Sequence, residues 1–263
     1  MTVIIRSSCQ AHLSVSSVSL ENLEETLKST RTLLFVLALF VPVLFGSAAV
    51  AQSAPPARTD LYHVHFAKAA LGKAVELADY LKAADPKVPM SAHHIVLRHQ
   101  DGEDWDYAVI EHLGTKTTVE AAGTAVPAAV RDLYAWHTDS FVSGPSWAEF
   151  SKALGIDEGS VGKTGGAVYS VSVYRAAPGH REQLEKSLNQ LAAADTSSGT
   201  VLMQHVEGGP WQFLAVVRYN SWQDFANGEK TSVPDSFKAG GGWLGLREHS
   251  SYHNDTLADR IAP

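Results

Sequence analysis

The chain has 263 residues, a formal charge of -7 and 45% hydrophobic residues. That length and apolar content suit one large or two small domains with an ample core. The acidic balance excludes nucleic acid as a partner, since phosphate backbones demand a basic stripe. The single cysteine, Cys9, precedes the apolar run near the start, so disulfides and cysteine-held zinc are excluded from the folded part.

Residues 1–51 read as an N-terminal extension and a signal peptide. Lys28-Ser29-Thr30-Arg31-Thr32 is a basic n-region, Leu33 to Phe45 an apolar h-region, and Gly46 to Gln52 a small-residue exit with cleavage after Ala51. The protein is therefore expected to be exported, periplasmic or secreted, and to touch a membrane only through an uncleaved signal. The extension is long for an n-region, which points to a start at Leu27 from a non-standard codon. A tryptic peptide from residues 7–26 in the native host would contradict that start. Residues 52–60 read as a flexible leader.

Tyr62-His63-Val64-His65-Phe66 alternates as a strand does. Gly72 to Ala84 carries apolar residues at helical spacing and closes at Asp85-Pro86. His93 to His99 and Trp105 to His112 are strands joined by an Asp101-Gly102 turn. A helix is expected over Val119 to His137, then a short strand over Asp139 to Val142. Gly-rich residues 155–167 form a linker between a first unit, 61–154, and a second, 168–263. In the second unit Tyr169 to Tyr174 alternates again, and His180 to Ala194 is helical. Thr200 to His205 and Trp211 to Tyr219 form a second hairpin, and Ser221 opens a helix. Gly240-Gly241-Gly242-Trp243 reads as a flexible loop suited to a lid.

The two hairpins share the pattern His, any residue, acid, Gly, two residues, Trp: His99 to Trp105 and His205 to Trp211. The fold class is α+β, each unit running strand, helix, strand, strand, helix, strand. This resembles the dimeric α+β barrel superfamily of ferredoxin-like units, of the antibiotic-biosynthesis-monooxygenase kind, as a tandem duplication. Tyr62 to Ala70 with its following helix carries the resemblance, as do the Gly102 hairpin with Trp105-Asp106-Tyr107-Ala108-Val109 and the second copies of both. It covers nearly all of residues 60–258. It implies one pseudo-twofold barrel with helices outside and a small-molecule cavity, more than any one reaction.

Twelve histidines are about twice the usual number for this length. Tyr62, Val64 and Phe66 are expected on the helix-packed face of their strand, which sends His63 and His65 into the barrel. Ser170 and Ser172 take the equivalent positions in the second unit, so the halves differ there. The expected ligand pocket comprises His63, His65, His93, His99, His112, Glu111, Ser170, Ser172 and His205. His63, His65 and His99 are the candidate acid–base groups. The His-x-His spacing also suits metal capture, with a further ligand from His93, His99, His112 or Glu111 across the sheet. His99 and His205 read as turn residues paired with Asp101 or Glu207, or as acid–base groups. His137 with Asp139, and His253 with Asp255, are a third matched set.

Three functions fit: an exported small-molecule-binding barrel without established catalysis; a cofactor-independent monooxygenase or isomerase; and a haem- or metal-binding envelope protein. No motif specifies a cofactor, so haem or a divalent metal rests on the histidines alone. The partner is a small molecule, and the chain is a monomer or a homodimer.

Overall fold

The computed structural model describes residues 57–83, 92–115, 127–156, 166–192, 197–236 and 242–262. Residues 1–51, expected to form an extension and a signal peptide, and most of the expected leader and linker lie outside them. The described elements are β1 (Asp60–Ala69), α1 (Ala74–Lys82), β2 (His94–Asp101), β3 (Tyr107–Thr115), α2 (Ala128–Arg131), β4 (Tyr134–Gly144), α3 (Trp147–Leu154), β5 (Val168–Ala176), α4 (Arg181–Ala192), β6 (Gly199–Glu207), β7 (Phe213–Tyr219), α5 (Trp222–Ser236), α6 (Gly242–His249) and β8 (Ser250–Ala262).

The strands close into an antiparallel barrel in the order β1-β3-β2-β8-β5-β7-β6-β4. Hence β1 lies between β3 and β4, and β5 lies between β7 and β8. The pairs β4–β6 and β2–β8 join the first four strands to the last four. Closure leaves no free sheet edge.

One apolar cluster draws a residue from every strand. It contains Tyr62, Val64 and Phe66 of β1, Ile95 and Leu97 of β2, Ala108 and Ile110 of β3, Val142 of β4, Tyr169 and Val171 of β5, Val201 and Met203 of β6, Leu214 and Val216 of β7, and Ala258 of β8. Only the inside of a closed barrel brings all eight strands together, so this cluster is the interior, and it is filled by side chains. Phe150 and Leu154 of α3 join it, and Phe150 stacks on Tyr62 with centroids 5.0 Å apart. The buried hydroxyls of Tyr62 and Tyr169 donate to the carbonyls of Pro145 and Leu154, at 2.8 and 3.0 Å. Trp105 and Trp211 belong to the same cluster at the hairpin end.

The helices pack outside. Leu77, Ala78 and Leu81 of α1 cover Ala67, Ala69, Val96, Tyr107 and Val109. Leu184 and Leu188 of α4, with Leu246 of α6, cover Tyr174, Phe213 and Ala215.

The expected faces of β1 are therefore reversed: Tyr62, Val64 and Phe66 point in, and His63 and His65 point out. Alternation says which residues share a face; it does not say which face is inside. Helical spacing also misled over Tyr134 to His137, which belong to β4. Tyr-Ala-Trp-His favours a strand by its aromatics, and pairing with β1 along the whole length settles it. Residues 116–126 of that expected helix lie outside the described residues. Gly242 and Trp243, expected in a loop, begin α6.

Candidate functional site

The outward face of β1 carries His63 and His65 side by side because strand residues two apart point the same way. Register decides what they meet. Glu111 of β3 pairs opposite His63, and Asp139 of β4 opposite His65. Asp139 Oδ1 lies 2.9 Å from His63 Nε2 and 2.8 Å from His65 Nδ1, so one carboxylate oxygen serves both rings. The other nitrogen of His63, Nδ1, lies 3.0 Å from Glu111 Oε2. His137 Nε2 approaches Asp139 Oδ2 at 3.4 Å.

Aromatic rings surround this cluster. Tyr134 meets His65 edge-on at 5.5 Å, His137 lies 5.2 Å from His65, and Phe141 lies 5.5 Å from His63. His65 Nε2 is buried and has no hydrogen-bond partner.

The charges pull on each other. Burial alone would lower the pKa of His63, but its hydrogen bonds to Asp139 and Glu111 outweigh that and raise it to about 9. The same bonds from His63 and His65 hold the Asp139 carboxyl far below the usual carboxylate range. Burial pushes the Tyr134 phenol up. The site thus favours positive charge between two carboxylates, supplied by an imidazolium or by a metal ion.

His63, His65 and Asp139 can each offer a ligand atom, all within 4.8 Å of one another. A tetrahedral ion with bonds near 2.0–2.2 Å separates its ligand atoms by roughly 3.3–3.6 Å, so small side-chain shifts would admit one. Glu111 would then hold the free N–H of His63, the outer-shell contact that metal-bound imidazoles usually make. Two imidazoles and one carboxylate leave positions open for water or a small molecule.

The other expected pocket residues do not join this site. His112 and His93 pair with each other through Nδ1 atoms 3.1 Å apart. His112 Nε2 also reaches Asp60 Oδ2 at 2.7 Å, and His93 stacks on Trp147 at 4.5 Å. His112 donates from Nε2 to Asp60 and shares one proton with His93 between their Nδ1 atoms, a relay that ties the start of β1 to β3 and α3. His99 and His205 lie against Trp105 and Trp211, edge-on at 5.7 and 5.4 Å, and Glu207 acts on His205 through its charge. Ser170 and Ser172 lie on the outward face of β5, where Ser172 pairs opposite Asp255. Neither enters the barrel.

The sequence pairs Asp139 with His137 alone. Its role as the carboxylate shared by His63 and His65 depends on the β1–β4 register, and the helix expected up to His137 hid that. The signal that could have found it is the alternation Tyr134, Trp136, Thr138 against Ala135, His137, Asp139, which places His137 and Asp139 on one strand face.

No protein-family model matches the sequence, and no curated protein matches it. Among solved structures the chain resembles an anthrone oxidase-like protein, with a TM-score of 0.54, 10% identity, and coverage of 78% of this chain and 92% of that one. It is also similar to a "putative monooxygenase" from Lactobacillus acidophilus NCFM, at a TM-score of 0.45, 10% identity and coverage of 77% and 94%. A second protein of that description, from Fusobacterium nucleatum, aligns at a TM-score of 0.45, 5% identity and coverage of 77% and 93%. The first of these shows a shared mixed α+β fold.

Proposed function

We propose that the protein is an exported barrel that binds a small oxygen-bearing molecule through a divalent transition-metal ion held by His63, His65 and Asp139. The observation that carries this reading is the convergence of two imidazole nitrogens on one oxygen of Asp139, with Glu111 behind His63. The protein's own groups would fix the ion, leave positions open to a ligand oxygen, and offer Tyr134, His137 and Phe141 as aromatic walls. A fused-ring phenol is the first ligand to try, since its oxygen suits the ion and its rings suit those walls; the name of the anthrone oxidase-like neighbour suggests the same class. We further read the barrel as a tandem duplication, its second copy holding Ser170 and Ser172 where the first holds the ligating histidines.

Cobalt(II) titration of the metal-stripped protein tests the reading. Visible absorption of a four- or five-coordinate ion, perturbed by added phenol, is expected. Its absence in wild type, or its persistence in His65→Ala, contradicts it. N-terminal sequencing of protein recovered from the envelope or medium tests export, with Gln52 the expected first residue.

A second reading rests on a specific atom. His65 Nε2 is buried and unpartnered while Asp139 holds Nδ1, as in a general base oriented by a carboxylate. In that reading His65 takes the phenol proton without a metal, and dioxygen, as co-substrate, takes up the electrons of the phenolate. Turnover unaffected by a chelator and lost in His65→Ala would favour it over the metal reading.

A further inference from the structure

Inside the barrel, the apolar alternation of two strands ends in arginine. On β7, Leu214 and Val216 point inward and Arg218 follows two residues on; on β8, Ala258 points inward and Arg260 follows. Register agrees, for Arg218 pairs opposite the inward Tyr169 and Arg260 opposite the inward Leu97. Arg260 is 3% exposed, while Arg218 is half-buried. Arg260 Nε and Nη1, and Arg218 Nε, are buried and meet no hydrogen-bond partner. Arg260 Nη2 makes a long contact of 3.4 Å with the carbonyl of Gly155.

The two guanidinium groups converge. Gly155 ends α3 in a left-handed conformation, and a Cβ there would lie 2.7 Å from Arg218 Cζ. Arg218 and Arg260 thus both reach the same residue, one by its side-chain packing and one by a hydrogen bond. Burial pushes the Tyr169 phenol up while the charges of Arg260 and Arg218, and side-chain hydrogen bonds from both to its oxygen, pull it back, which sets both guanidinium groups beside that hydroxyl. That hydroxyl already gives its proton to the Leu154 carbonyl, so the free donors here are guanidinium N–H groups. Among the described residues, neither arginine has a carboxylate partner.

A guanidinium does not shed its proton in a protein, and a buried charge without an opposite charge is among the costliest arrangements a fold can hold. Its planar fork matches paired oxygens. We propose that Arg218 and Arg260 form a binding site for a small oxyanion, a phosphate or carboxylate group, at the α3 end of the barrel. The half-exposed edge of Arg218 is the way in. The site is separate from His63, His65 and Asp139 and does not depend on a metal there.

The test is the melting temperature of the mature protein, titrated with inorganic phosphate, sulfate or acetate at ionic strength held constant with sodium chloride. A saturable rise of about 5 °C or more is expected at hundredfold excess over Kd. A response to phosphate and sulfate alone assigns a phosphate-type ligand; a response to acetate assigns a carboxylate. Arg260→Met and Arg218→Met should each abolish the rise, and Arg260→Met should melt no lower than wild type without anion. If Arg260→Met does not fold, Arg218→Met carries the same comparison. His65→Ala should leave the rise intact. No saturable rise with any of the three anions, or a rise that persists in Arg218→Met, overturns the proposal.

Discussion

Gly208 lies against the backbone of Asp139: a Cβ at Gly208 would overlap the Asp139 carbonyl oxygen and sit 2.7 Å from Ser140 Cα. The β6–β7 hairpin therefore clasps the strand that presents the shared carboxylate, and the Gly209 N–H seals it by donating to Ser140 Oγ at 2.9 Å. The β2–β3 hairpin does the same across the barrel. A Cβ at Gly102 would lie 2.7 Å from Thr256 Cα, and the Glu103 N–H donates to Thr256 Oγ1 at 3.1 Å. The glycine of the His-x-acid-Gly-x-x-Trp pattern is thus a seam contact, needed for close approach and for its positive φ.

Gly208→Ala should cost about 2–4 kcal/mol, combining an unfavourable φ with a steric overlap. Gly102→Ala should cost a similar amount. Only Gly208→Ala displaces Asp139, so it alone should also weaken metal binding. Chemical denaturation and a metal titration on both variants separate the two effects.

Glu111→Gln keeps all three proposed ligands and removes only the carboxylate behind His63. Metal affinity should fall about 10–100-fold, as outer-shell changes usually produce. Competition against a chromophoric chelator measures it.

The metal-free protein should lose stability on the alkaline side. His63 titrates at about 9 in the folded state, above its ordinary value of 6.5. Its contribution is fully present below about pH 6.5 and disappears as pH rises through 9, and it amounts to at most about 3 kcal/mol. Urea unfolding at pH 6 and pH 10 should show this loss in wild type and a smaller one in His63→Gln. Asp139 contributes in the other direction: its depressed carboxyl favours the fold above the ordinary carboxylate range, and that benefit fades in strong acid.

The filled interior predicts a different response from the inner and outer faces of the barrel wall. Met203→Ala removes a fully buried side chain from the cluster of all eight strands and should cost about 2–5 kcal/mol. His65→Ala, on the outward face, leaves that cluster intact. Guanidinium unfolding of both variants at pH 7.5 should rank Met203→Ala as the less stable.

Much of this was legible in the sequence. Alternation put His63 and His65 on one face, and Glu111 was among the groups expected to reach them across the sheet. Which face pointed inward was not legible, because Tyr62, Val64 and Phe66 are as well suited to a barrel interior as to a helix-covered surface. Nor was the β1–β4 register that brings Asp139 between the two imidazoles, since it depends on residues more than 70 positions apart. The α3 helix went unread although Ser146 and Glu149 form the reciprocal capping box that announces a helix start. Arg218 and Arg260 gave no signal at all: each sits at a strand end where arginine is usually solvated, and only barrel closure turns them inward.

The proposed centre requires that His63, His65 and Asp139 hold one metal ion together. Isothermal titration of chelator-treated wild type, His65→Ala and Asp139→Asn with zinc tests this, each variant first shown to be folded by a cooperative melt. About one equivalent per chain is expected in wild type, and at least roughly 100-fold weaker binding in each variant. Equal zinc binding in wild type and both variants, or none in wild type, would contradict it.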